Sequence, residues 1–240
     1  MNYPILVTGA AGGIGGATVR KLLVAGYSVV ACGRDLEKMR DMFGDECKYA
    51  VMDFNETDQI PAFIKGLVTE FGKLGGLVHC AGVDKLSPLY LLKKSDIEML
   101  LRIHTISAMI LCGQFAKKAV AAEGCSIVLF SSVAAHEGAK GHTAYAAAKG
   151  ALEGFLPSAA AELAANGVRI NVLVPGIVET EMTKVYTGKM DESQISALSA
   201  TYPLGFGKPE YIADAVAFFI GNGSRWITGQ RLVLDGGHSL

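Results

Sequence analysis

The sequence predicts an α/β fold in which helices cover both faces of a parallel sheet. Apolar runs of strand length alternate with stretches of helical period along the whole chain. The strand-length runs are continuously apolar, as expected when both faces of a sheet are buried. The predicted strands are residues 5–8, 28–32, 49–52, 77–80, 127–130, 168–174 and 231–234. The predicted helices are residues 14–24, 36–42, 60–71, 95–121 and 143–165.

Length and composition indicate one domain with a full-sized hydrophobic core. Of the 240 residues, 50% are hydrophobic, and neither a linker rich in Pro, Gly or Ser nor an internal repeat interrupts them. We therefore expect a single domain over residues 1–240. The formal net charge of -1 gives no basic footprint for nucleic acid or anionic lipid, so we expect neither as a partner.

The N-terminus and the cysteines favour a cytoplasmic protein. The first residues lack the charged-then-apolar layout of a signal peptide, and no apolar run reaches the ~20 residues that span a bilayer. The 5 cysteines are odd in number and no pair is spaced as CxxC, which favours reduced, partly buried thiols over disulfides or a zinc site. No other cluster of side chains suggests a metal ion.

A glycine-rich turn over residues 8–16 follows the first predicted strand and opens the first predicted helix. Glycine lets a backbone approach a pyrophosphate, and the helix N-terminus supplies free N–H groups and a positive dipole end. The turn therefore predicts a dinucleotide site. Two spacings fit: Gly9, Gly13 and Gly15 match GxxxGxG, whereas Gly9, Gly12 and Gly15 match GxxGxxG. The motif alone leaves both open.

The residues after the second strand indicate which dinucleotide is bound. Arg34 offers a planar fork that matches a 2′-phosphate, and Gly33 leaves room for it. Asp35 is the competing feature, because an acidic side chain at this point favours the ribose hydroxyls of NAD. Asp35 is equally well placed as the N-cap of the following helix. The prediction favours NADP(H) over NAD(H), with NAD as the alternative.

A serine, a tyrosine and a lysine form the predicted catalytic group. Tyr145 and Lys149 are four residues apart on a predicted helix and share one face, and Ser132 ends the preceding strand. A nearby ammonium lowers a tyrosine pKa by roughly 1–3 units. Tyr145 would then exchange a proton with a carbonyl or alcohol oxygen during hydride transfer, while the Ser132 hydroxyl holds the same oxygen.

These motifs together resemble the short-chain dehydrogenase/reductase family over nearly the whole chain. The resemblance implies a Rossmann-type, doubly wound parallel sheet of about seven strands. It selects Gly9, Gly13 and Gly15 in the turn, and it implies that Lys149 also binds the cofactor ribose. The matching segments are residues 8–15, 53, 81–82, 132, 145–149, 175–180, 228–230 and 235–237. The cofactor contacts that it implies are Gly9, Gly13, Ile14, Gly15, Arg34, Asp53, Ala81, Gly82, Tyr145, Lys149, Pro175, Gly176, Val178 and Thr180.

Two positions depart from the family pattern. His79 and Cys80 stand where the family has Asn-Asn, and His104 stands where the family has a catalytic asparagine that helps anchor a proton-relay water. Histidine donates and accepts hydrogen bonds, so His104 is a fourth candidate catalytic residue that keeps or modifies the relay. The alternative is that His104 only packs between helices.

The resemblance also bears on substrate and assembly. Residues 182–204 correspond to the family's substrate lid, and residues 169–183 and 203–210 resemble the acyl-carrier-protein ketoreductases. A 3-oxoacyl thioester is therefore one candidate substrate, and sugars, steroids and small alcohols stay open. Family members commonly form homotetramers through the helix after the catalytic tyrosine and the C-terminal strand, so we expect a homotetramer or a dimer.

The leading hypothesis is an NADP(H)-dependent oxidoreductase that interconverts a ketone and a secondary alcohol. A second hypothesis is an NAD-dependent alcohol or sugar dehydrogenase with Asp35 on the ribose. A third, from another class, is a catalytically silent nucleotide-binding regulatory or scaffold protein. The altered His79 and His104 support the third hypothesis, and the intact catalytic group opposes it.

Overall fold

A seven-stranded parallel sheet forms the centre of the part of the chain that the computed structural model describes, residues 3–188 and 190–240. The strands are β1 Ile5–Thr8, β2 Val29–Gly33, β3 Lys48–Val51, β4 Leu74–His79, β5 Ala121–Phe130, β6 Arg169–Pro175 and β7 Arg231–Leu234. Their spatial order is β3-β2-β1-β4-β5-β6-β7, and every neighbouring pair is parallel. This is the predicted doubly wound α/β fold.

Helices cover both faces of the sheet, because alternate strand residues feed two separate cores. Leu6 points into one core, whereas its neighbours Ile5 and Val7 point into the other. Helices α1, α2 and α9 contribute to the core that contains Ile5, and α3, α5 and α6 to the core that contains Leu6. The helices are α1 Gly13–Val24, α2 Leu36–Phe43, α3 Ile60–Phe71, α4 Lys94–Leu101, α5 Ser107–Phe115, α6 Thr143–Ala164, α7 Glu181–Thr187, α8 Glu192–Ala200 and α9 Pro209–Ile220.

The region between β4 and β5 differs from the prediction of one helix over residues 95–121. The chain forms α4, a π-helical turn at Arg102–Ile106 and α5, and the helix ends at Phe115. Strand β5 begins at Ala121, six residues before the predicted start, and Ala121 pairs with Leu74 of β4. Pairing with a distant strand therefore overrides the local helical period, and the buried Val120 packs into the core.

The predicted substrate lid is largely helical. Helix α7 begins at Glu181 and runs to Thr187. Helix α8 follows, with Asp191 and Gln194 forming a reciprocal capping box. Lys189, which belongs to the predicted lid, lies outside the described residues.

Within residues 3–188 and 190–240, no helix combines the length and apolarity needed to cross a membrane. No group of three His, Cys, Asp or Glu side chains in the same ranges is arranged to hold a metal ion. Each cysteine is a free thiol, and Cys32, Cys112 and Cys125 are buried.

The sheet order reverses beside β1, and this reversal fixes where a ligand can bind. The chain passes from β1 outward through β2 and β3, then returns to place β4 on the opposite side of β1. Loops leaving β1 and β4 therefore diverge above the sheet. In such sheets a crevice opens beyond the carboxyl ends of the strands at this point.

A chain of hydrogen bonds through His79 joins the two sides of the reversal. The Ser107 hydroxyl donates to the Ile103 carbonyl at 2.6 Å, so it accepts from His79 Nε2 at 2.9 Å. His79 Nδ1 then accepts from the Thr8 hydroxyl at 2.9 Å, and Thr8 Oγ1 accepts from the Ala81 N–H at 3.1 Å. The neutral imidazole therefore donates to Ser107 and accepts from Thr8, so both of its ring nitrogens are hydrogen-bonded. Burial, together with the charge of Lys149, lowers the pKa of His79 to about 3.

This arrangement predicts that acid weakens the fold through His79. The buried His79 is neutral in the folded protein, whereas a histidine in the unfolded chain has a pKa of ~6.5. The neutral folded state therefore contributes stability above pH ~6.5, and this contribution is lost as the pH falls toward the folded pKa. Acidification from pH ~6.5 to ~5 should therefore cost the wild type about 2 kcal/mol through this one group. The free energy of unfolding of the His79→Asn variant, measured with urea at each pH, should not show this loss. Parallel pH profiles of the two proteins would contradict the assignment.

Candidate active site

The glycine turn is packed so tightly that side chains are excluded at three of its positions. Gly9 has φ +63°, and a Cβ there would lie 2.8 Å from the Ala81 nitrogen. A Cβ on Gly15 would overlap with the Gly9 carbonyl oxygen, and one on Gly13 would lie 2.7 Å from Thr180 Cγ2. Gly12 is less restricted, because its nearest contact would be 3.2 Å. On steric grounds the turn therefore has the GxxxGxG spacing.

Helix α1 begins at the turn with an uncapped N-terminus. Its N-cap residue is Gly12, and no side chain among the described residues makes a capping hydrogen bond there. The first backbone hydrogen bond of the helix runs from the Gly16 N–H to the Gly12 carbonyl. The N–H groups of the first turn therefore point toward the crevice without helical partners. Such an end attracts an anionic group.

A cleft of about 470 Å³ occupies the crevice. Most of the predicted cofactor contacts line it: Gly9, Gly13, Ile14, Gly15, Arg34, Asp53, Ala81, Gly82 and Thr180. Further lining residues escaped the sequence prediction: Lys38, Met52, Phe54, Cys80, Val83, Ile103 and Glu181. The missed apolar residues flank predicted ones in the chain, and Lys38 lies one helical turn beyond Arg34.

Two basic side chains, Arg34 and Lys38, line the end of the cleft beside β2. Asp35 lines it as well, but its carboxylate accepts a hydrogen bond from the Lys38 N–H at 2.9 Å and caps α2. Asp35 therefore adopts the capping role that competed with ribose binding in the sequence interpretation. Asp53 lies next along the wall and accepts from the Asn55 N–H.

Five predicted cofactor contacts do not line the cleft: Pro175, Gly176 and Val178, which lie beside it, and Tyr145 and Lys149, which lie beyond Gly82 and His104. Pro175 ends β6 and pairs with Leu234. A Cβ on Gly176 would lie 2.9 Å from the Tyr202 ring, so this residue is packed against the lid end of the chain. Val178 is buried and forms an isolated bridge with Gly207. These residues form the support beneath Thr180.

The predicted catalytic residues come together on α6 and at the end of β5. The Lys149 ammonium lies 5.5 Å from the centroid of the Tyr145 ring and donates to the Phe130 carbonyl at 2.8 Å. Ser132 follows β5, and its hydroxyl is close enough to the Tyr145 hydroxyl to lower the pKa of that phenol. The spacing of four residues therefore places Tyr145 and Lys149 on one helical face, as expected.

Burial controls the acidity of this group. Burial lowers the pKa of Lys149 to about 8, although Cys80 and Asp84 act in the opposite direction. Burial raises the pKa of Tyr145 well above its ordinary value, the Asp84 charge raises it further, and the Ser132 hydroxyl lowers it. The expectation that a nearby ammonium lowers the pKa of Tyr145 is therefore not met in the protein alone, in which burial raises that pKa by more than the opposing effects lower it.

His104 lies at the junction between the cleft and the catalytic group. It occupies the π-helical turn, is buried, and packs edge-on against the Tyr145 ring at 5.3 Å between centroids. Its Nε2 lies 2.7 Å from the Val83 carbonyl and must donate to it. Burial and the Lys149 charge lower the pKa of His104, so Nδ1 carries a lone pair, which has no partner among the described residues.

Gly82 completes this junction. A Cβ on Gly82 would lie 2.5 Å from His104 Cε1 and 3.1 Å from Nδ1. The edge of the imidazole that carries the lone pair therefore faces the cleft wall directly. Only glycine permits this approach without displacing the histidine.

A buried carboxylate supports the catalytic strand and helix, and the sequence analysis missed it. Glu153 accepts from the Ser131 hydroxyl at 2.6 Å, from Arg231 Nη1 at 2.6 Å and from His136 Nε2 at 2.9 Å. Burial alone would raise the pKa of Glu153, but these hydrogen bonds outweigh it and hold the pKa low. The ionised carboxylate therefore ties together β5, α6 and the edge strand β7.

Comparison with known proteins identifies the family. The family model described as Enoyl-(Acyl carrier protein) reductase matches residues 9–239. A 3-oxoacyl-[acyl-carrier-protein] reductase of Rickettsia bellii is 33% identical over 234 residues, which are 97% of this chain and 95% of that protein. Carbonyl reductase family member 4 of Xenopus laevis is 32% identical, and the match covers 100% of this chain and 99% of that protein.

Solved structures agree with these sequence matches. A short-chain dehydrogenase/reductase of Brucella melitensis, described as a glucose/ribitol dehydrogenase, superposes with a TM-score of 0.91 at 27% identity, over 100% of this chain and 97% of that chain. The structure of ElxO with NADP bound superposes with a TM-score of 0.86 at 26% identity, over 100% of this chain and 99% of that one. With the parallel sheet, the glycine turn and the Ser-Tyr-Lys group already in place, this chain belongs to the short-chain dehydrogenase/reductase family of oxidoreductases.

Proposed function

We propose that this protein is an NADP(H)-dependent reductase that interconverts a ketone and a secondary alcohol, with Tyr145 as its acid/base. The observation that carries the proposal is the continuity between cleft and catalytic group. Gly82 lines the cleft and contacts His104, whose ring packs on Tyr145. A dinucleotide lying in the cleft therefore ends beside Tyr145.

The cleft fits a dinucleotide in shape and in charge. The uncapped N-terminus of α1 binds the pyrophosphate, at positions where glycines leave room for it. Arg34 and Lys38 bind the 2′-phosphate of the adenosine ribose, and Asp53 lies along the adenine side. Lys149 and Tyr145 bind the nicotinamide ribose. Because the Asp35 carboxylate caps α2, it competes weakly for the ribose, which supports NADP(H) over NAD(H).

The protein's own residues supply the proton and orient the substrate. When bound, the reduced nicotinamide supplies the hydride that reaches the carbonyl carbon. Tyr145 donates its phenolic proton to the carbonyl oxygen, and the Ser132 hydroxyl holds that oxygen by a second hydrogen bond. In the reverse direction the tyrosinate accepts the proton from the alcohol.

Lys149 and His104 serve the proton supply of Tyr145. The buried ammonium of Lys149 stabilises the tyrosinate that remains after proton donation. The lone pair on His104 Nδ1 accepts a hydrogen bond from a water that returns a proton to this group. His104 thereby takes the part that the resemblance assigns to an asparagine.

Among carbonyl substrates, we favour 3-oxoacyl thioesters. The supporting observation is the similarity over nearly the full chain to 3-oxoacyl-[acyl-carrier-protein] reductases. Helices α7 and α8 would form the lid over the acyl chain, with exposed apolar side chains such as Met182 and Val185 available to line it. An alcohol or sugar substrate is the alternative.

We also propose that the protein assembles as a homotetramer, with a dimer as the smaller alternative. The edge strand β7 exposes Leu232 and Val233, and Trp226 just before it is 97% exposed. Large apolar side chains on a sheet edge are suited to burial against a second copy.

Replacement of the tyrosine tests the catalytic proposal. The wild type should oxidise NADPH in the presence of acetoacetyl-CoA, followed by absorbance. Tyr145→Phe should lower kcat by about 10²–10⁴-fold, because the proton donor is lost. The control is Tyr211→Phe on α9, which is exposed and should keep full activity. Equal turnover in the two variants would refute the role of Tyr145, and a silent wild type that binds NADPH would refute the thioester substrate.

Replacement of the arginine tests the cofactor preference. Arg34→Ala should weaken NADPH binding about 10- to 100-fold, the range expected for a lost charged hydrogen bond, and leave NADH binding nearly unchanged. Titration calorimetry gives both dissociation constants. Arg40→Ala is the matched control, since Arg40 lies on α2, the helix that follows Arg34, but does not line the cleft. Equal weakening of the two cofactors would exclude a phosphate contact.

The third substitution concerns His104. An asparagine at this position can still donate to the Val83 carbonyl and accept from a water, so His104→Asn should keep kcat within about tenfold of the wild type. Steady-state kinetics with the same thioester measures this. Complete loss of activity in a folded variant would mean that His104 has a chemical role that asparagine cannot supply.

A further inference from the structure

The loop that follows β4 is fastened to the N-terminal end of α6. The Val83 carbonyl accepts from His104, and the Ser87 N–H donates to the Gly141 carbonyl at 2.9 Å. Between these anchors, Asp84 Oδ2 lies 3.3 Å from His142 Nε2. Both side chains of this pair are largely buried, with 25% and 15% of their surface exposed. The Asp84 carboxylate is therefore held in one place.

The His142 side chain connects that place to Tyr145. The His142 ring, which contacts Asp84, packs against the Tyr145 ring at 6.0 Å between centroids. The other ionisable groups that face Tyr145 are Lys149 from its own helix and His104 from the π-helical turn, which is neutral. Among these described groups, Asp84 supplies the negative charge.

The charge of Asp84 depends on its partner. The hydrogen bond from His142 to Asp84 raises the pKa of His142, so the pair is balanced at low pH. As the pH rises through that pKa, His142 loses its proton and the Asp84 charge is no longer balanced. The negative charge of Asp84 disfavours a second negative charge nearby, and ionisation of Tyr145 to tyrosinate would create one.

We propose that Asp84 is an electrostatic tuning residue, which holds Tyr145 in its protonated, proton-donating form and so extends carbonyl reduction to mildly alkaline pH. In reduction the hydride adds to the carbonyl carbon and the Tyr145 proton adds to the oxygen, leaving tyrosinate to be reprotonated from water. Oxidation must start from tyrosinate, which the Asp84 charge makes scarcer. The inference rests on the proposed function, since it requires Tyr145 to be the acid/base.

The pH dependence of reduction tests the inference. The activity of the wild type with NADPH and acetoacetyl-CoA, expressed as kcat/KM, should fall on the alkaline side as Tyr145 loses its proton. In Asp84→Asn this fall should begin about one pH unit lower, the size of shift expected for removal of one nearby charge. Asp96→Asn is the matched control: Asp96 is a partly buried acid that pairs with Lys85 of the same loop. Its profile should superpose on that of the wild type.

A titration that needs no substrate gives a second readout. Protein labelled with [¹³Cζ]tyrosine and saturated with NADP⁺ reports the tyrosinate directly by NMR, and Tyr145→Phe identifies the signal. The midpoint of the Tyr145 titration should again be about one pH unit lower in Asp84→Asn than in the wild type or in Asp96→Asn.

The outcomes separate the inference from the proposed function. Coincident profiles and midpoints in the wild type and Asp84→Asn would overturn the tuning role while leaving Tyr145 as the acid/base. An equal shift in Asp96→Asn would also overturn it, because the effect would then be general to the protein's charge. Full activity of Tyr145→Phe would instead overturn the proposed function, and the inference with it.

Discussion

The close approach of the glycine turn to the carboxyl end of β4 is the constraint on which the rest of the structure depends. Gly9 lies so near to the backbone of Cys80 and Ala81 that any side chain would overlap with it. Because β1 lies between β2 and β4, this contact stands where the sheet order reverses and the crevice opens. The same stretch of chain continues into Gly82, which lies against His104. The cleft and the helix that carries Tyr145 and Lys149 therefore share one wall.

Desolvation determines the chemistry on that wall. Removing charges from water disfavours them, so His79 and His104 are neutral and the ammonium of Lys149 loses its proton more readily. Glu153 keeps its charge only because three donors surround it. In such surroundings a single carboxylate that is weakly screened by solvent, as on Asp84, acts strongly on a neighbouring phenol.

Local pattern predicted most of the fold, because each strand is a short apolar run between polar turns. The helix predicted over residues 60–71 has the observed bounds, whereas residues 116–121 leave the helix because Ala121 pairs with a distant strand. The shared helical face of Tyr145 and Lys149 and the tight glycine turn were predictable because their spacing is local. The pairing of Asp84 with His142 and the contacts of Glu153 were not, since only tertiary structure brings these partners together. The neutral state of His104 likewise follows from burial, which a sequence does not display.

The central claim is that a dinucleotide lies in the crevice with its reactive end at Tyr145. A crystal structure of the protein with NADP⁺ tests it most directly. The account predicts the pyrophosphate on the N–H groups at the start of α1, the 2′-phosphate between Arg34 and Lys38, and the nicotinamide ribose within hydrogen-bonding distance of Tyr145 and Lys149. A dinucleotide bound outside the crevice, or with its nicotinamide directed away from Tyr145, would contradict the account.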